Sequence, residues 1–515
     1  VSGVRRLSAS VGKFFAAICG ELLKQSGGAK MTLQTQTVKI DADAILRDFE
    51  NLTAEPNGKV KVLAHSEILS AILETLDEVD FHTVAGLMPG DILPQKHLLV
   101  MCVNELLRKV KEQNFDLARK NDFIFAFNGA HWKELDRETI KNFLGKVAKK
   151  LSVHALEAQH YKFRNELYNQ FLSAAHFEPI EPQTGKVLIN PQNGTFEISK
   201  DSQALRDFDA KDFLTYQLPF EYNEGATCPM FEKYLDEVLP EKELQNIVAE
   251  FFGYIFTKGL KMEKALLLYG SGANGKSVIF DVMNALVGRE NISNFSLSNL
   301  LEEHNRALIA HKLLNYGSEI NATRTRDEFK NLVSTEPIQA RLKYGNSFTM
   351  TNYAKLAFNC NELPKDFDHS NAYFRRLLII PFRVTIPENK QDKMLAHKII
   401  ESELAGVFNW IIGGLKRLLK TEKFTESKIV KDTLETYKRE SDSVTCFVDE
   451  NSYKPSATEH ILLKNLYSDY RAFCQEDGAS PLKKSNFRHR LESNGFIVEK
   501  MNNGNRVYLE VSHQE

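Results

Sequence analysis

The stretch that decides the fold is 265–280, ALLLYGSGANGKSVIF. Its first five residues, Ala265 to Tyr269, read as a buried strand. Gly270, Ser271, Gly272, Ala273, Asn274, Gly275, Lys276 and Ser277 then follow the pattern G-x-x-x-x-G-K-S. SVIFDVMNALVG continues with helical spacing, and Gly288 stands as its stop. Strand, loop and helix are the context in which this pattern holds phosphate. Glycines let backbone N–H groups converge on phosphate oxygens with no Cβ in the way. The helix N-terminus adds partial positive charge at the same place. Lys276 is placed to neutralise the outer phosphates and Ser277 to put its hydroxyl on Mg²⁺, so ATP with Mg²⁺ is the expected cofactor pair.

Working outward, HKLLNYGSEI (311–320) reads as an apolar strand ending in Glu319, 43 residues after Lys276. An acid at that end would serve Mg²⁺ and the attacking water. A third strand, KLAFNCNELP (355–364), ends in Asn361, an uncharged amide able to orient the water. Asn359 is the competing choice, but alternation leaves it inside the strand. YFRRLLIIPF (373–382) then brings two arginines just before a strand. They fit an arginine finger reaching a neighbouring subunit's γ-phosphate, Arg376 ahead of Arg375. Between these strands lies EPIQARLKYGNSFTM (336–350). Arg341 and Lys343 are two apart and share a strand face, and Tyr344-Gly345-Asn346 makes the turn.

In this order the motifs resemble the superfamily 3 DNA helicases. The closer resemblance is to the phage and plasmid primase–helicase family related to the poxvirus primase–helicase. It extends upstream to INPQNGTFEI (189–198), LTYQLPFEYNEGATCPMFEKYLDEVLP (214–240) and LQNIVAEFFGYIF (244–256), which are similar to the domain preceding that family's core. The C-terminal part resembles its winged-helix domain. The resemblance implies an α/β P-loop (AAA+-like) ATPase core with an N-terminal α-rich domain, a preceding α+β domain and a C-terminal winged-helix domain. It implies a hexameric ring, with Lys276, Ser277, Glu319 and Asn361 from one subunit and the arginine from the next around each ATP. It also implies that QARLKYGNSF (339–348) forms a hairpin projecting into the central channel, where Lys343 would hold DNA phosphates with Tyr344 available for stacking; a solvated basic hairpin is the plainer reading. One departure is Ser318, where many relatives carry a second acid beside Glu319.

The expected activity is that of an ATP-dependent DNA helicase. It would move on single-stranded DNA, unwind forked duplex and serve replication of a phage, plasmid or integrated element. The alternative is a nucleotide-binding replication initiator or assembly factor without processive unwinding. Near the C-terminus, Lys483, Lys484, Arg488 and Arg490 cluster with no acid among them. They fit a recognition helix facing duplex DNA, and equally a solvated face.

The domains expected from these patterns are a disordered tail (1–35), a helical domain (36–120) and an α+β domain (121–260). The ATPase core (261–390), a helical lid (391–440) broken by Gly413-Gly414, and a winged-helix-like domain (441–515) complete the chain. Helical spacing runs through Ile68, Ile72 and Leu76, then Val100, Val103, Leu106 and Val110. Strand pairs are expected around Asn128-Gly129 and Asn193-Gly194. Asp41 and Asp43 are the paired acids nearest to a primase's metal site, but they read better as the start of a helix. A separate primase or initiator is therefore the expected partner.

With 66 Lys+Arg against 68 Asp+Glu over 515 residues, the formal charge is −2. That excludes a basic nucleic-acid coat and an acidic solvating tail. The six cysteines stand singly, with no C-x-x-C pair, so neither a zinc ribbon nor a redox motif is readable. No apolar run approaches the roughly 20 residues of a membrane span. The run at 14–18 is short for a signal peptide. The expected setting is the cytoplasm of a bacterial host, with Met31 a candidate natural start and 1–30 an appended tail.

Overall fold

A computed structural model of the chain describes residues 62–511, apart from 89–90, 121–122, 178–184, 319, 321–326, 344–346, 365–370, 477–479 and 502–503. The chain divides into two units at Lys61/Val62; only the second is described. Asp41, Asp43, the 1–35 tail, Glu319 and Tyr344 lie outside the described residues.

The first module is built on helices His65–Glu74 and Gln95–Glu112. Their periodic positions Ile68, Ile72, Val103, Leu106 and Val110 are buried, whereas Val100 faces solvent. Three antiparallel strands follow: β1 (Asp116–Lys120), β2 (Phe123–Phe127) and β3 (Trp132–Leu135). Asn128 closes the expected turn, its Oδ1 accepting from the backbone N–H of Ala130 and His131 at 3.0 and 2.9 Å. The boundary expected at 120/121 falls inside the β1–β2 hairpin, where Lys120 pairs with Phe123. Leu117 and Ile124 share one core with Ile68, Val103 and Phe171, so helices and hairpin form one module. Burial across the turn overrides the change of sequence texture there.

A second antiparallel sheet, β4 (Val187–Ile189), β5 (Thr195–Ile198) and β6 (Gln203–Arg206), turns at Asn193-Gly194 as expected. Helices Pro229–Val238 and Lys242–Tyr254 lead into the central sheet. That sheet consists of β7 (Ala265–Tyr269), β8 (Ile292–Ser293), β9 (Leu314–Gly317), β12 (Lys355–Cys360) and β13 (Leu377–Pro381). All neighbours are parallel, in the order β13-β7-β12-β9-β8. β10 (Ile338–Arg341) and β11 (Ser347–Met350) form a separate antiparallel hairpin inserted before β12. The near-continuous apolar runs of β7 and β13 follow from burial on both sheet faces.

One face of the sheet is covered by helix Lys276–Val287 and by helices from outside the expected core, 229–254 and 395–421, in a single hydrophobic cluster. The Gly413-Gly414 pair does not break the last helix, which runs unbroken over Leu404–Thr421. Gly414 instead allows close approach. A Cβ there would stand 2.5 Å from the carbonyl carbon of Ala249, and one on Gly253 would stand 2.7 Å from Leu415 Cβ. The break lies at Glu403, whose buried carboxylate accepts from the N–H groups of Met230 and Phe231, each at 3.0 Å. It thereby caps helix Pro229–Val238.

The C-terminal module runs helix Ser443–Glu450, β14 (Tyr453–Leu462), helices Leu463–Glu476 and Lys484–Ser493, then β15 (Ile497–Met501) and β16 (Gly504–Val511). Its sheet order is β14-β16-β15, over a core of Val444, Phe447, Leu466, Tyr470 and Phe487. Among the described residues, no helix is long and apolar enough to cross a membrane. The described cysteines are free thiols.

Candidate nucleotide site and DNA-facing elements

The loop after β7 has a backbone that few sequences tolerate. Gly272, Ala273 and Gly275 take φ of +103°, +49° and +88°. A Cβ on Gly270 would stand 2.6 Å from the Phe382 carbonyl oxygen. The loop is tied down from β13: the Phe382 N–H donates to Tyr269 O at 2.7 Å and the Ile386 N–H to Ala273 O at 2.8 Å. Lys276 opens the following helix and is buried. Its Nζ donates to Gly270 O at 2.5 Å and to Asn274 Oδ1 at 3.0 Å, which folds the ammonium back over the loop. Burial lowers its pKa. Asn274 Nδ2, packed against Gly270, is buried with no hydrogen-bond partner. A desolvated cation, an orphaned donor and a helix N-terminus together fit a phosphate group. Ser271, Ala273 and Ser277 are exposed beside them.

Tyr234, in helix Pro229–Val238, donates its phenol to Gly275 O at 2.6 Å and is fully enclosed. Sequence reading missed it, because a tyrosine on an apolar helix face reads as core. The hydrogen bond fixes the last loop carbonyl before Lys276. Tyr234→Phe is expected to keep the fold and lower nucleotide affinity about three- to tenfold, the worth of one buried hydrogen bond. Titration with a fluorescent ATP analogue measures this; unchanged affinity would leave Tyr234 a packing residue.

β12 brings Asn361 to the same edge. Cys360 pairs with Tyr269, and the Gly270 N–H donates to Cys360 O at 3.1 Å. The strand ends at Cys360 and the exposed Asn361 follows directly. Asn359 is engaged within the sheet, its Oδ1 accepting from the Tyr316 hydroxyl at 3.0 Å. β9 ends at Gly317, with Ser318 exposed at the same edge of the sheet.

The two arginines part company. Arg376 is buried, donating to Ser334 Oγ at 2.8 and 3.1 Å and to Ala372 O at 2.6 Å. Arg375 is 65% exposed, with only a 3.7 Å ion pair to Glu263. Arg376 is therefore held by buried partners of its own chain. Both precede β13, where Leu377 pairs with Ala265. They stand at the edge of the sheet opposite the phosphate loop, roughly 15 Å away at strand rise.

Arg341 ends β10 and Lys343 follows it, both exposed, and His304 Nδ1 lies 2.9 Å from Arg341 O. In helix Lys484–Ser493 the acid-free look of the sequence is corrected by the fold. Arg488 pairs with Glu492 at 2.8 Å and Arg490 with Asp442 at 3.6 Å. Lys483 and Lys484 stay exposed.

Residues 104–240 match the family described as "D5 N terminal like", and 439–514 the one described as "Poxvirus D5 protein-like". Residues 268–376 match a family of unknown function, DUF5906. The chain is similar to the phage and poxvirus primase–helicases. A curated relative, "Putative helicase 121R" of Invertebrate iridescent virus 3, is 23% identical over 326 residues. The match takes in 55% of this chain and 34% of the relative, so the chain spans about a third of that protein. Two solved structures are also similar. "The A form apo structure of NrS-1 C terminal region-CTR" has 12% identity and a TM-score of 0.46, and "The apo structure of NrS-1 C terminal region (305-718)" has 13% and 0.43. Each covers 79% of this chain and 98% of its own. Within this primase–helicase-like chain, the D5 N terminal-like segment contains Tyr234 and the DUF5906 segment contains Lys276, Asn361 and both arginines.

Proposed function

We propose that the chain is an ATP-dependent DNA helicase of the replication type, working as a ring of about six subunits. The observation that carries this reading is the shared edge of the parallel sheet. There the positive-φ loop, the buried Lys276 and the exposed Asn361 meet. Lys276 would hold the outer phosphates, Ser277 would meet Mg²⁺ and Asn361 would orient the lytic water. Glu319 would act as the acid. The sheet order, with the phosphate-loop strand between β13 and β12, supports an AAA+-like core.

Arg375 sits too far from its own phosphate loop and is free of buried commitments, which suits a finger reaching the next subunit. The β10–β11 hairpin would follow the DNA strand, with Lys343 on phosphates and Tyr344 stacking. The order helix, strand, two helices and hairpin in the last module supports a winged helix, with Lys483 and Lys484 toward duplex. A separate primase or initiator would dock on the N-terminal side.

The test is turnover and unwinding measured together. ATP hydrolysis is expected to rise severalfold with single-stranded DNA, and a forked duplex to be unwound. Lys343→Ala is expected to lower the unwinding rate at least about tenfold, as loss of a central phosphate contact repeated around the ring. Nucleotide binding with no DNA-stimulated turnover and no unwinding would favour the initiator or assembly reading.

A further inference from the structure

The edge of the sheet opposite the phosphate loop carries a basic and aromatic cluster that the nucleotide site does not use. Lys120 ends β1. Lys258 lies in the bend after helix Lys242–Tyr254 and is exposed, and His311 lies in the turn before β9. Lys120 Nζ stands 3.7 Å over the Phe213 ring and 5.3 Å from that of Phe177. The His311 ring packs edge-on against Phe123 and Phe125, at 6.2 and 6.1 Å between centroids.

The basic groups act on one another. Burial, and then the neighbouring Lys258, push the Lys120 ammonium down to about 8. Burial, then Lys120 and Lys258, lower His311. Among the described residues, no carboxylate forms an ion pair with any of the three. Burial lowers Lys258 as well, with Asp212 acting in the opposite direction, and Arg206 already holds Asp212 at 2.7 Å. Neighbouring like charges disfavour each other's charged forms, and a bound anion would favour them again.

The position of the cluster indicates which ligand. Phe123 meets Phe348 of β11 edge-on at 5.9 Å, and the His311 N–H donates to Asn352 O at 3.2 Å, just beyond that strand. The cluster is therefore packed against the root of the β10–β11 hairpin. Phe123 and Phe348 are half-buried, so part of each ring meets solvent. Cations that meet phosphates beside ring faces that meet unstacked bases are the two requirements for holding a single strand.

We propose that Lys120, Lys258 and His311, with the rings of Phe123 and Phe348, form a second contact for single-stranded DNA at the root of the hairpin. The site would hold the strand where it passes from the N-terminal module to the hairpin. It rests on the helicase reading above, and adds a contact that the hairpin motif does not contain.

The test uses the full chain, a fluorescein-labelled oligo(dT) strand and anisotropy over a range of salt concentrations. Lys258→Glu is expected to weaken binding at least about tenfold and to reduce the slope of log K against log salt by about 0.7 for each phosphate no longer neutralised. Lys258→Arg is expected to keep both near the wild-type values, which separates a charge effect from misfolding. A strand carrying 5-iododeoxyuridine is expected to crosslink to Phe123 or Phe348. Lys258→Glu with wild-type affinity and slope overturns the inference, as do crosslinks confined to 341–347. If the wild-type chain binds no oligo(dT), the helicase reading falls as well.

Discussion

Lys276→Ala is expected to lower ATP hydrolysis at least about a hundredfold, the usual loss when one pre-placed group facing developing charge is removed. The reason lies in how the ammonium is held. It is buried, and it is aimed over the loop by Gly270 O and Asn274 Oδ1. In water such a charge would be screened, and burial strengthens its action on a phosphate. Unwinding is expected to disappear with hydrolysis. Phosphate release in the presence of single-stranded DNA and strand displacement on a fork are the measurements. Robust unwinding by the Lys276→Ala protein would sink the helicase assignment outright.

Arg375→Ala is expected to cost about a thousandfold in turnover of the assembled protein, within the range for loss of an arginine finger. On the proposed reading the effect is intermolecular, because Arg375 stands at the sheet edge opposite its own chain's loop. Mixing Arg375→Ala with Lys276→Ala subunits, each nearly inactive alone, should therefore restore activity. In a head-to-tail ring assembled at random from equal amounts, roughly a quarter of the interfaces join an intact Lys276 to an intact Arg375. No recovery on mixing, with assembly confirmed by light scattering, would place the arginine's role within one subunit. Arg376→Ala serves as the contrast. It strips Ser334 Oγ and Ala372 O of a buried donor, so its first effect should be a lower melting temperature.

The strand, loop and helix at 265–287 were legible because their signals are local. Glycines at 270, 272 and 275, a lysine and a hydroxyl at fixed spacing leave few other conformations. The strand before them and the helix after them are written in the same 20 or so residues. The Asn-Gly turns were legible for a similar reason, since the side chain of Asn128 bonds the backbone of its own turn. Domain limits were less legible. The texture change near residue 120 marks where helix gives way to strand, but Leu117 and Ile124 are buried in the core of the preceding helices. The Gly413-Gly414 pair looked like a break because glycine weakens an isolated helix. Its cost is outweighed by the close packing of Gly414 on the backbone at Ala249 and Glu250.

By itself the sequence determined the phosphate loop, the order of the motifs around it and the resemblance that follows from that order. Each of these depends on residues close together along the chain. Tertiary structure alone decided which of two adjacent arginines is buried among partners of its own chain, that Tyr234 braces the loop from another helix, and that the basic C-terminal helix is half neutralised by Glu492 and Asp442. It also gathered Lys120, Lys258 and His311 from three distant segments. The physical reason is common to all four. The free energy of a charge or a hydrogen bond is set by burial and by partners within a few ångströms, and those partners are far apart in sequence.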